Sequence, residues 1–262
     1  MKQKIFQVDA FTDTVFAGNP AAVCILDSWP DSQLMQQIAQ ENNLAETAFA
    51  VKSNDRYELR WFTPEVEVDL CGHATLATAY VLFNHYNYDQ SVIRFYSPRS
   101  GDLVVEKTGD GTMVMDFPTD DLTEFPFTEE VNRAIGANPI ETFRGKSDYL
   151  LIYTSQTEIE NIRPNYHLLD QIDCRGVIVS APGRDVDFVS RAFFPKCGIP
   201  EDPVTGSAHT TLTPYWSKQL NKIKLTAKQI SPRGGELNCE FLGDRVKISG
   251  QAVLYMIGEI VL

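Results

Sequence analysis

Two short loops concentrate the side chains that could take part in catalysis. Each has a glycine, Gly72 or Gly206, that lets a ligand approach the backbone closely. Each also precedes a segment with a helical pattern, and the free N–H groups at a helix start attract anions. The loops therefore predict a carboxylate-binding site. A structural role is the alternative for each side chain: a helix cap for Asp202, a buried core histidine for His73 and an inert thiol for Cys71. The loops read DLCGHAT and EDPVTGSAH, and their candidate side chains are Asp69, Cys71, His73, Glu201, Asp202, Thr205 and Ser207.

Glu46 is a further candidate, because it is a carboxylate in apolar surroundings. It stands in NNLAETAFAV, beside Leu44 and Ala45 and just before a run of strand-forming residues. Burial there would favour the protonated form, and a carboxyl group poised between two states can take up and return a proton. The alternative is that Glu46 faces solvent at a strand edge.

Common cofactor motifs are absent from the sequence. It contains no GxGxxG fingerprint, no Walker lysine and no GxSxG elbow, and its four histidines and five cysteines lack the usual zinc spacings. We therefore expect no metal, nucleotide or flavin cofactor. Proton transfer on a small carboxylate without a cofactor is the chemistry that remains.

Composition narrows the class of partner. The 262 residues carry a net charge of −12, which argues against nucleic acid or an anionic membrane as the main partner. No apolar run reaches the roughly 18 residues that a membrane span needs, and the N-terminus does not resemble a secretory signal. Five cysteines, an odd number without close pairs, are typical of reduced thiols. We expect a cytoplasmic location.

The elements that must position these residues follow from the periodicity of the apolar side chains. Alternation predicts strands, and the nearly uniform apolar character of HATLATAYVLF predicts a buried central helix. A shorter helix is predicted to begin near Ser28, which is followed by Pro30 and Asp31. The predicted strands before residue 65 cover 4–11, 21–26, 46–51 and 57–64, and the central helix covers 73–83.

An internal repeat divides the chain. RWFTP, which begins at Arg60, matches RAFFP, which begins at Arg191, at an offset of 131 residues, and Gly72 matches Gly206 at an offset of 134. A three-residue insertion explains the difference. Two lobes produced by duplication are therefore predicted, with chance similarity as the alternative. In the second helix, Pro214 removes a backbone donor, so that helix is expected to be kinked or shortened.

These motifs together resemble the PhzF family of phenazine-biosynthesis isomerases. The similarity is carried by QVDAFTDTVFAGNPAAV, NLAETAF, FTPEVEVDLCGHATLATAYVL, EDPVTGSAH, SPRGGEL and AVLYMIGEI. It implies an α+β (mixed α/β) fold similar to that of diaminopimelate epimerase, with two pseudo-symmetric lobes that each wrap a curved mixed sheet around a central helix. The implied lobes are residues 1–119 with 253–262, and residues 120–252, with the active site in the cleft between them.

The resemblance also implies residue roles. Glu46 would be the general acid/base that moves a proton between two carbons of a cyclic dihydro-hydroxyanthranilate or a similar small carboxylate in a biosynthetic process. Family members are commonly homodimers, so a homodimer is expected. The implied substrate-binding residues are Gly72, His73, Asp202, Thr205, Gly206 and Ser207, and the candidate assisting residues are Asn19 and Cys71.

One feature of the related epimerases is missing. Diaminopimelate epimerase uses two cysteines, one at the start of each paired helix. Here the first loop has Cys71, but the second has Asp202 and no cysteine, and Cys197 lies five residues before Asp202. A two-cysteine epimerase is therefore not expected. A racemase or epimerase that opposes Asp202, Cys71 or Glu46 remains an alternative, as does a carboxylate-binding protein without activity.

Overall fold

The computed structural model describes residues 2–126 and 128–262 and divides the chain into two units. The first unit comprises Met1–Asp116 and Ser249–Leu262, and the second comprises Phe117–Ile248. Each unit has its own long buried helix.

The first unit contains one long buried helix and a shorter surface helix. In chain order, the elements up to Pro118 are β1 (Lys2–Ala10), β2 (Asn19–Leu26), α1 (Ser32–Asn42), β3 (Glu46–Ser53), β4 (Arg56–Phe62), β5 (Glu67–Val68), α2 (Gly72–His85), β6 (Val92–Ser97), β7 (Gly101–Lys107) and β8 (Met113–Pro118).

The sheet of the first unit is mixed. β1 and β2 are antiparallel, β2 and β3 are parallel, β3 and β4 are antiparallel, and β4 and β6 are parallel. α2 packs against β1, β2 and β3. Its apolar residues are buried on nearly every side, as the sequence predicted, and its threonines satisfy their hydroxyl groups locally. Thr75 donates to the carbonyl of Cys71, and Thr78 donates to that of Ala74.

The predicted start of the first helix was wrong by four residues. α1 begins at Ser32, and its cap is Asp31, whose Oδ1 accepts a hydrogen bond of 2.7 Å from the backbone N–H of Gln33. Ser28 lies before Pro30, outside the helix. An aspartate that can reach the second helical N–H satisfies a free donor directly, so it sets the boundary here.

The described residues of the second unit form three short helices in addition to the long one. Its elements are β9 (Thr123–Glu124), α3 (Glu129–Ile135), β10 (Glu141–Arg144), β11 (Asp148–Ile152), α4 (Gln156–Asn161), α5 (Tyr166–Gln171), β12 (Gly176–Pro182), β13 (Phe188–Phe194), a single 3₁₀ turn (Pro195–Cys197), β14 (Ile199–Asp202), α6 (Gly206–Leu220), β15 (Lys224–Gln229), β16 (Gly235–Phe241) and β17 (Arg245–Gly250), after which β18 (Ala252–Val261) returns to pair with β1.

The two units repeat the same strand pairing. β11 and β12 are parallel, β12 and β13 are antiparallel, and β13 and β15 are parallel, which repeats the pattern of β2, β3, β4 and β6. Each unit places its long helix after a short strand, α2 after β5 and α6 after β14. The predicted mixed α/β fold with two pseudo-symmetric lobes is confirmed.

The expected shortening of the second long helix was wrong. α6 continues for six residues beyond Pro214 and has 15 residues in all. A proline at this position leaves the carbonyl of Thr210 without its helical donor. The backbone N–H of Asp120 supplies a replacement at 3.3 Å, and the Asp120 carboxylate accepts a hydrogen bond from the Thr211 hydroxyl. A neighbouring segment thus compensates for the missing N–H.

None of the helices in the described part of the chain is long and apolar enough to cross a membrane.

Candidate active site

The starts of two parallel strands bring the first pair of site residues to one edge of the sheet. Asn19 is the first residue of β2, Glu46 is the first residue of β3, and the register pairs Ala21 with Glu46. Both side chains are buried: Asn19 is fully enclosed, and Glu46 is 8% exposed. The alternative that Glu46 faces solvent is therefore wrong.

The start of α2 supplies the other half of the cluster. Cys71 is the residue that precedes the helix, and it makes no side-chain capping bond, while His73 is the second helical residue. Both are buried. Gly72 lies between them at the first position of the helix, where an N–H group has no helical acceptor.

His73 connects these residues. Its Nε2 lies 3.1 Å from Oε2 of Glu46, and that oxygen has no other hydrogen-bond partner among the described residues. Its Nδ1 lies 3.2 Å from the side-chain amide nitrogen of Asn19 and 3.4 Å from the sulfur of Cys71. The ring therefore has a partner in either protonation state. The amide donates to a bare Nδ1, and the sulfur accepts from an Nδ1–H group.

Two pKa shifts follow from this arrangement. Burial alone would lower the pKa of His73, but the Cys71 sulfur and the Glu46 carboxylate beside the ring hold it well above its usual value. Burial and the nearby Glu46 raise the pKa of the Cys71 thiol to about 11, although His73 opposes the shift. The shift favours the protonated form of the ring beside Glu46, and Cys71 keeps its proton at neutral pH.

The same three side chains are a set of potential metal ligands. One ligand atom each from Glu46, Cys71 and His73 lies within 4.8 Å of the other two, and sulfur, nitrogen and carboxylate oxygen are donors that zinc accepts. A metal would bond to one ring nitrogen, whereas His73 turns one nitrogen toward Glu46 and the other toward Cys71. That orientation suits hydrogen bonds to both neighbours rather than coordination of one metal ion.

The second unit builds a polar network at the corresponding place. Asp202 ends β14, and its Oδ2 accepts a hydrogen bond of 2.6 Å from the hydroxyl of Thr205, the residue that precedes α6. Gln229 holds both: its Nε2 donates to the Asp202 carbonyl, and its Oε1 accepts from the Thr205 N–H. All three are buried. Sequence reasoning missed Gln229, because nothing near it in the sequence marks it.

Gly206 and Ser207 open α6, as Gly72 and His73 open α2. Neither Cys71 nor Thr205, the residues that precede the two helices, forms a capping hydrogen bond through its side chain. The first unit thus brings together the predicted Asn19, Glu46, Cys71, Gly72 and His73, and the second unit brings together Asp202, Thr205, Gly206 and Ser207.

Comparison with known proteins identifies the family. The family model described as "Phenazine biosynthesis-like protein" matches residues 8–258. The chain belongs to this PhzF family. An uncharacterized isomerase of Pseudomonas aeruginosa is 49% identical over 260 residues, which cover 99% of both chains. The chain is accordingly a PhzF-like isomerase.

Solved structures of similar proteins agree with this family. A PhzF-family protein of Enterococcus faecalis matches over 100% of both chains with a TM-score of 0.97 and 48% identity. A hydroxyproline epimerase of Agrobacterium vitis, solved with trans-4-hydroxy-L-proline, matches over 99% of this chain and 92% of its own, with a TM-score of 0.64 and 7% identity. The second comparison shows a shared fold only.

In this PhzF-like isomerase, the same ion pair anchors both loops. Arg60 donates from Nε and Nη2 to the two oxygens of Glu67 at 2.7 and 2.8 Å, and Arg191 makes the same pair of bonds to Glu201 at the same two distances. Glu67 and Glu201 are 134 residues apart, as are the two glycines. Glu201, a candidate for chemistry by its sequence, therefore holds its loop in place.

Asp69 lies outside the cluster. Its side chain is largely exposed and pairs with Arg99 at 3.1 Å on the surface.

Proposed function

We propose that this isomerase moves a proton within a small carboxylate, without a cofactor, and that Glu46 is the general acid/base. One observation carries the proposal: a buried carboxylate whose Oε2 has His73 as its only neighbouring donor within the described part of the chain. The implied substrate, from the family resemblance, is a cyclic dihydro-hydroxyanthranilate or a related carboxylate.

The proposed reaction needs a single proton carrier. Glu46 takes a proton from a substrate carbon as the C–H bond breaks, and the electron pair is delocalised through an adjacent double bond of the substrate. The same carboxyl group returns the proton to the far end of that system. Cationic His73, 3.1 Å away, stabilises the carboxylate before the transfer and orients it. The proton removed is the proton returned, so the step balances.

The substrate carboxylate would bind at the helix starts. Gly72 and Gly206 are the first residues of α2 and α6, and the N–H groups in the first turn of a helix attract anions. Ser207 adds a hydroxyl group, and Thr205 and Asp202 fix the loop that leads into α6. These residues supply local attraction in a protein whose net charge is −12.

Glu46→Gln tests the proposal. We expect it to lower the rate of isomerisation of a cyclic dihydro-hydroxyanthranilate by about 10²- to 10⁴-fold, because glutamine keeps the shape but cannot carry a proton. The rate is measured by NMR in D₂O, which also records deuterium uptake at the substrate carbons. Glu41→Gln, an exposed position of α1, is the matched control. Undiminished turnover in Glu46→Gln would assign the proton transfer to another group.

A second candidate is a racemase or epimerase in which Cys71 opposes Glu46. The contact of Cys71 with His73 at 3.4 Å supports it, whereas the raised pKa of the thiol, about 11, opposes it. A third candidate is a carboxylate-binding protein without activity. Wild-type protein that binds the substrate but neither isomerises it nor transfers deuterium to it would favour that third function.

We also propose that the protein forms a homodimer. An exposed apolar patch in the first unit, formed by Phe16, Tyr255, Met256 and Ile257, supports it. The rings of Phe16 and Tyr255 contact each other edge to face, with their centroids 5.6 Å apart. Exposed contiguous apolar side chains of this kind commonly mark a protein interface.

A further inference from the structure

Arg175 lies beside the start of α6 and has no role in the reaction described above. It immediately precedes β12, and its Nη2 lies 3.3 Å from the hydroxyl oxygen of Ser207. Its side chain is 42% exposed, whereas that of its partner Asp148 is only 3% exposed. The ion pair is therefore buried on its acidic side and open on its basic side.

The guanidinium group is held in one orientation from two directions. Asp148 accepts from Nε at 2.8 Å and also from Nη2. The ring of Phe194 lies under the guanidinium carbon at 5.3 Å, a cation–π contact. Arg175 has five N–H donors, and within the described residues the bonds use only Nε and Nη2. The Nη1 donors remain available on the exposed side.

The position of Arg175 parallels that of Glu46. In the first unit, the register of the parallel strands pairs Ala21 with Glu46, and in the second unit it pairs Asp148 with Gly176. Each strand start meets the second residue of the long helix: Glu46 contacts His73, and Arg175 contacts Ser207. Where the first unit has a proton carrier, the second has a fixed cation one residue earlier.

Gly176 is part of this arrangement. A Cβ atom at Gly176 would lie 2.1 Å from the ring of Phe194, so a larger residue would displace that ring from beneath the guanidinium. Only glycine lets the strand start and the ring approach this closely.

We infer that Arg175 is a specificity-determining residue that binds a carboxylate group of the substrate. The inference rests on the proposed function, since it supplies a side-chain partner for the carboxylate that the helix starts attract. The two N–H donors of Nη1 can hydrogen-bond to a carboxylate, and the charge of the guanidinium group strengthens such bonds. Asp148 fixes the group before the substrate arrives, so less side-chain entropy is lost on binding.

The test compares an acid with its amide. The probes are 2-aminobenzoate, an aromatic relative of the implied substrate, and 2-aminobenzamide, and their affinities for the full-length protein are measured by calorimetric titration. Wild-type protein should prefer the acid. Arg175→Lys and the double variant Asp148→Asn with Arg175→Gln should lower the affinity for the acid by about 10- to 100-fold and leave that for the amide nearly unchanged.

The double variant guards against misfolding, because it removes both charges and leaves no buried carboxylate unpaired. Arg184→Gln, which removes a surface pair with Glu160, is the matched control and should bind as wild type does. Wild-type protein without a preference for the acid, whether or not it binds the amide, would overturn the inference. So would unchanged affinity for the acid in the folded double variant.

The outcome is separable from that for Glu46. Glu46→Gln should keep the preference for the acid and lose isomerisation, whereas the Arg175 variants should raise KM for the substrate and leave kcat within a few-fold of wild type. If Glu46→Gln stays active, the proposed proton carrier is wrong, and the titration with the acid still decides the role of Arg175.

Discussion

At the scale of single residues, the protonation states of Glu46, His73 and Cys71 indicate which of them can accept a proton. Glu46 and cationic His73 form an opposed pair, 3.1 Å apart. Cys71, which contacts the same ring, holds its proton because burial raises its pKa to about 11. An isomerase with one carboxylate as proton carrier is consistent with these states, and a thiolate base is not favoured by them.

Cys71→Ser should therefore retain isomerase activity within about tenfold of wild type, far from the loss of about 10²- to 10⁴-fold expected when a general acid/base is removed. Serine keeps a hydroxyl group in contact with His73. Iodoacetamide labelling at pH 7, read by peptide mass spectrometry, gives a second measurement. Exposed Cys197 should react quickly, and buried, protonated Cys71 should react slowly. Fast labelling of Cys71 that abolishes activity would support the two-base alternative.

His209 is a second buried histidine, and it should make stability fall in acid. Its Nδ1–H donates to the Thr205 carbonyl, its Nε2 has no partner among the described residues, and burial lowers its pKa to about 4. As the pH falls below about 6.5, the unfolded chain takes up a proton at this ring, and the folded chain does so only near pH 4.

Between those values the free energy of unfolding should fall by about 3 kcal/mol because of His209. Urea titrations across pH 4 to 7.5 measure the change. In His209→Gln, whose side chain does not titrate, the decline should be smaller by that amount. An identical decline in the variant and the wild type would assign the acid sensitivity to other groups.

At the scale of elements, the strand starts and helix starts determine the site. The sequence allowed the central helix, the loops and the 131- and 134-residue offsets to be predicted, because periodicity and repeated motifs are local signals. The start of α1 was misplaced because Asp31, three residues after Ser28, forms the cap. The continuation of α6 through Pro214 could not be predicted, since it depends on a donor from Asp120, which is distant in sequence. Gln229 and Arg175 were missed for the same reason.

Gln229→Leu should show how much the hydrogen bonds from Gln229 to Asp202 and Thr205 contribute to the free energy of unfolding. The substitution removes the acceptor for the Thr205 N–H and the donor to the Asp202 carbonyl, and both groups are buried. Leaving buried polar groups unpaired should lower the free energy of unfolding by at least about 2 kcal/mol, measured by urea titration at pH 7.5. Gln171→Leu, at an exposed position of α5, is the control. Equal stability of the two variants would mean that water replaces Gln229.

At the scale of the whole molecule, the two units share an architecture but differ in the side chains at their helix starts. The two units share strand pairing, a buried helix and an arginine–glutamate anchor, yet at the helix start the first has Cys71 and His73 where the second has Thr205 and Ser207. The proton-carrying groups of the proposed reaction thus lie in the first unit, and the hydroxyl groups and Arg175 lie in the second. The resemblance of the motifs to the PhzF family predicted the fold. Which unit carries which charged group could be seen only from the side-chain contacts in the structure.

The apolar patch predicts the behaviour of the whole chain in solution. Phe16 has a positive φ of 71°, which is unfavourable for a bulky residue, and its backbone N–H donates to Asp9. The residue is 69% exposed, and its ring contacts that of Tyr255 edge to face. Exposed aromatic side chains bury a large apolar area when a partner covers them.

Wild-type protein should therefore have twice the chain mass in light scattering coupled to size-exclusion chromatography. Ile257→Glu should shift it to the mass of one chain, because a carboxylate in a desolvated apolar interface is strongly unfavourable. Ile223→Glu, at an exposed apolar position of the second unit, should leave the dimer intact. A monomeric wild type would contradict the proposed homodimer, and dissociation by Ile223→Glu as well would place the interface elsewhere than the patch around Tyr255.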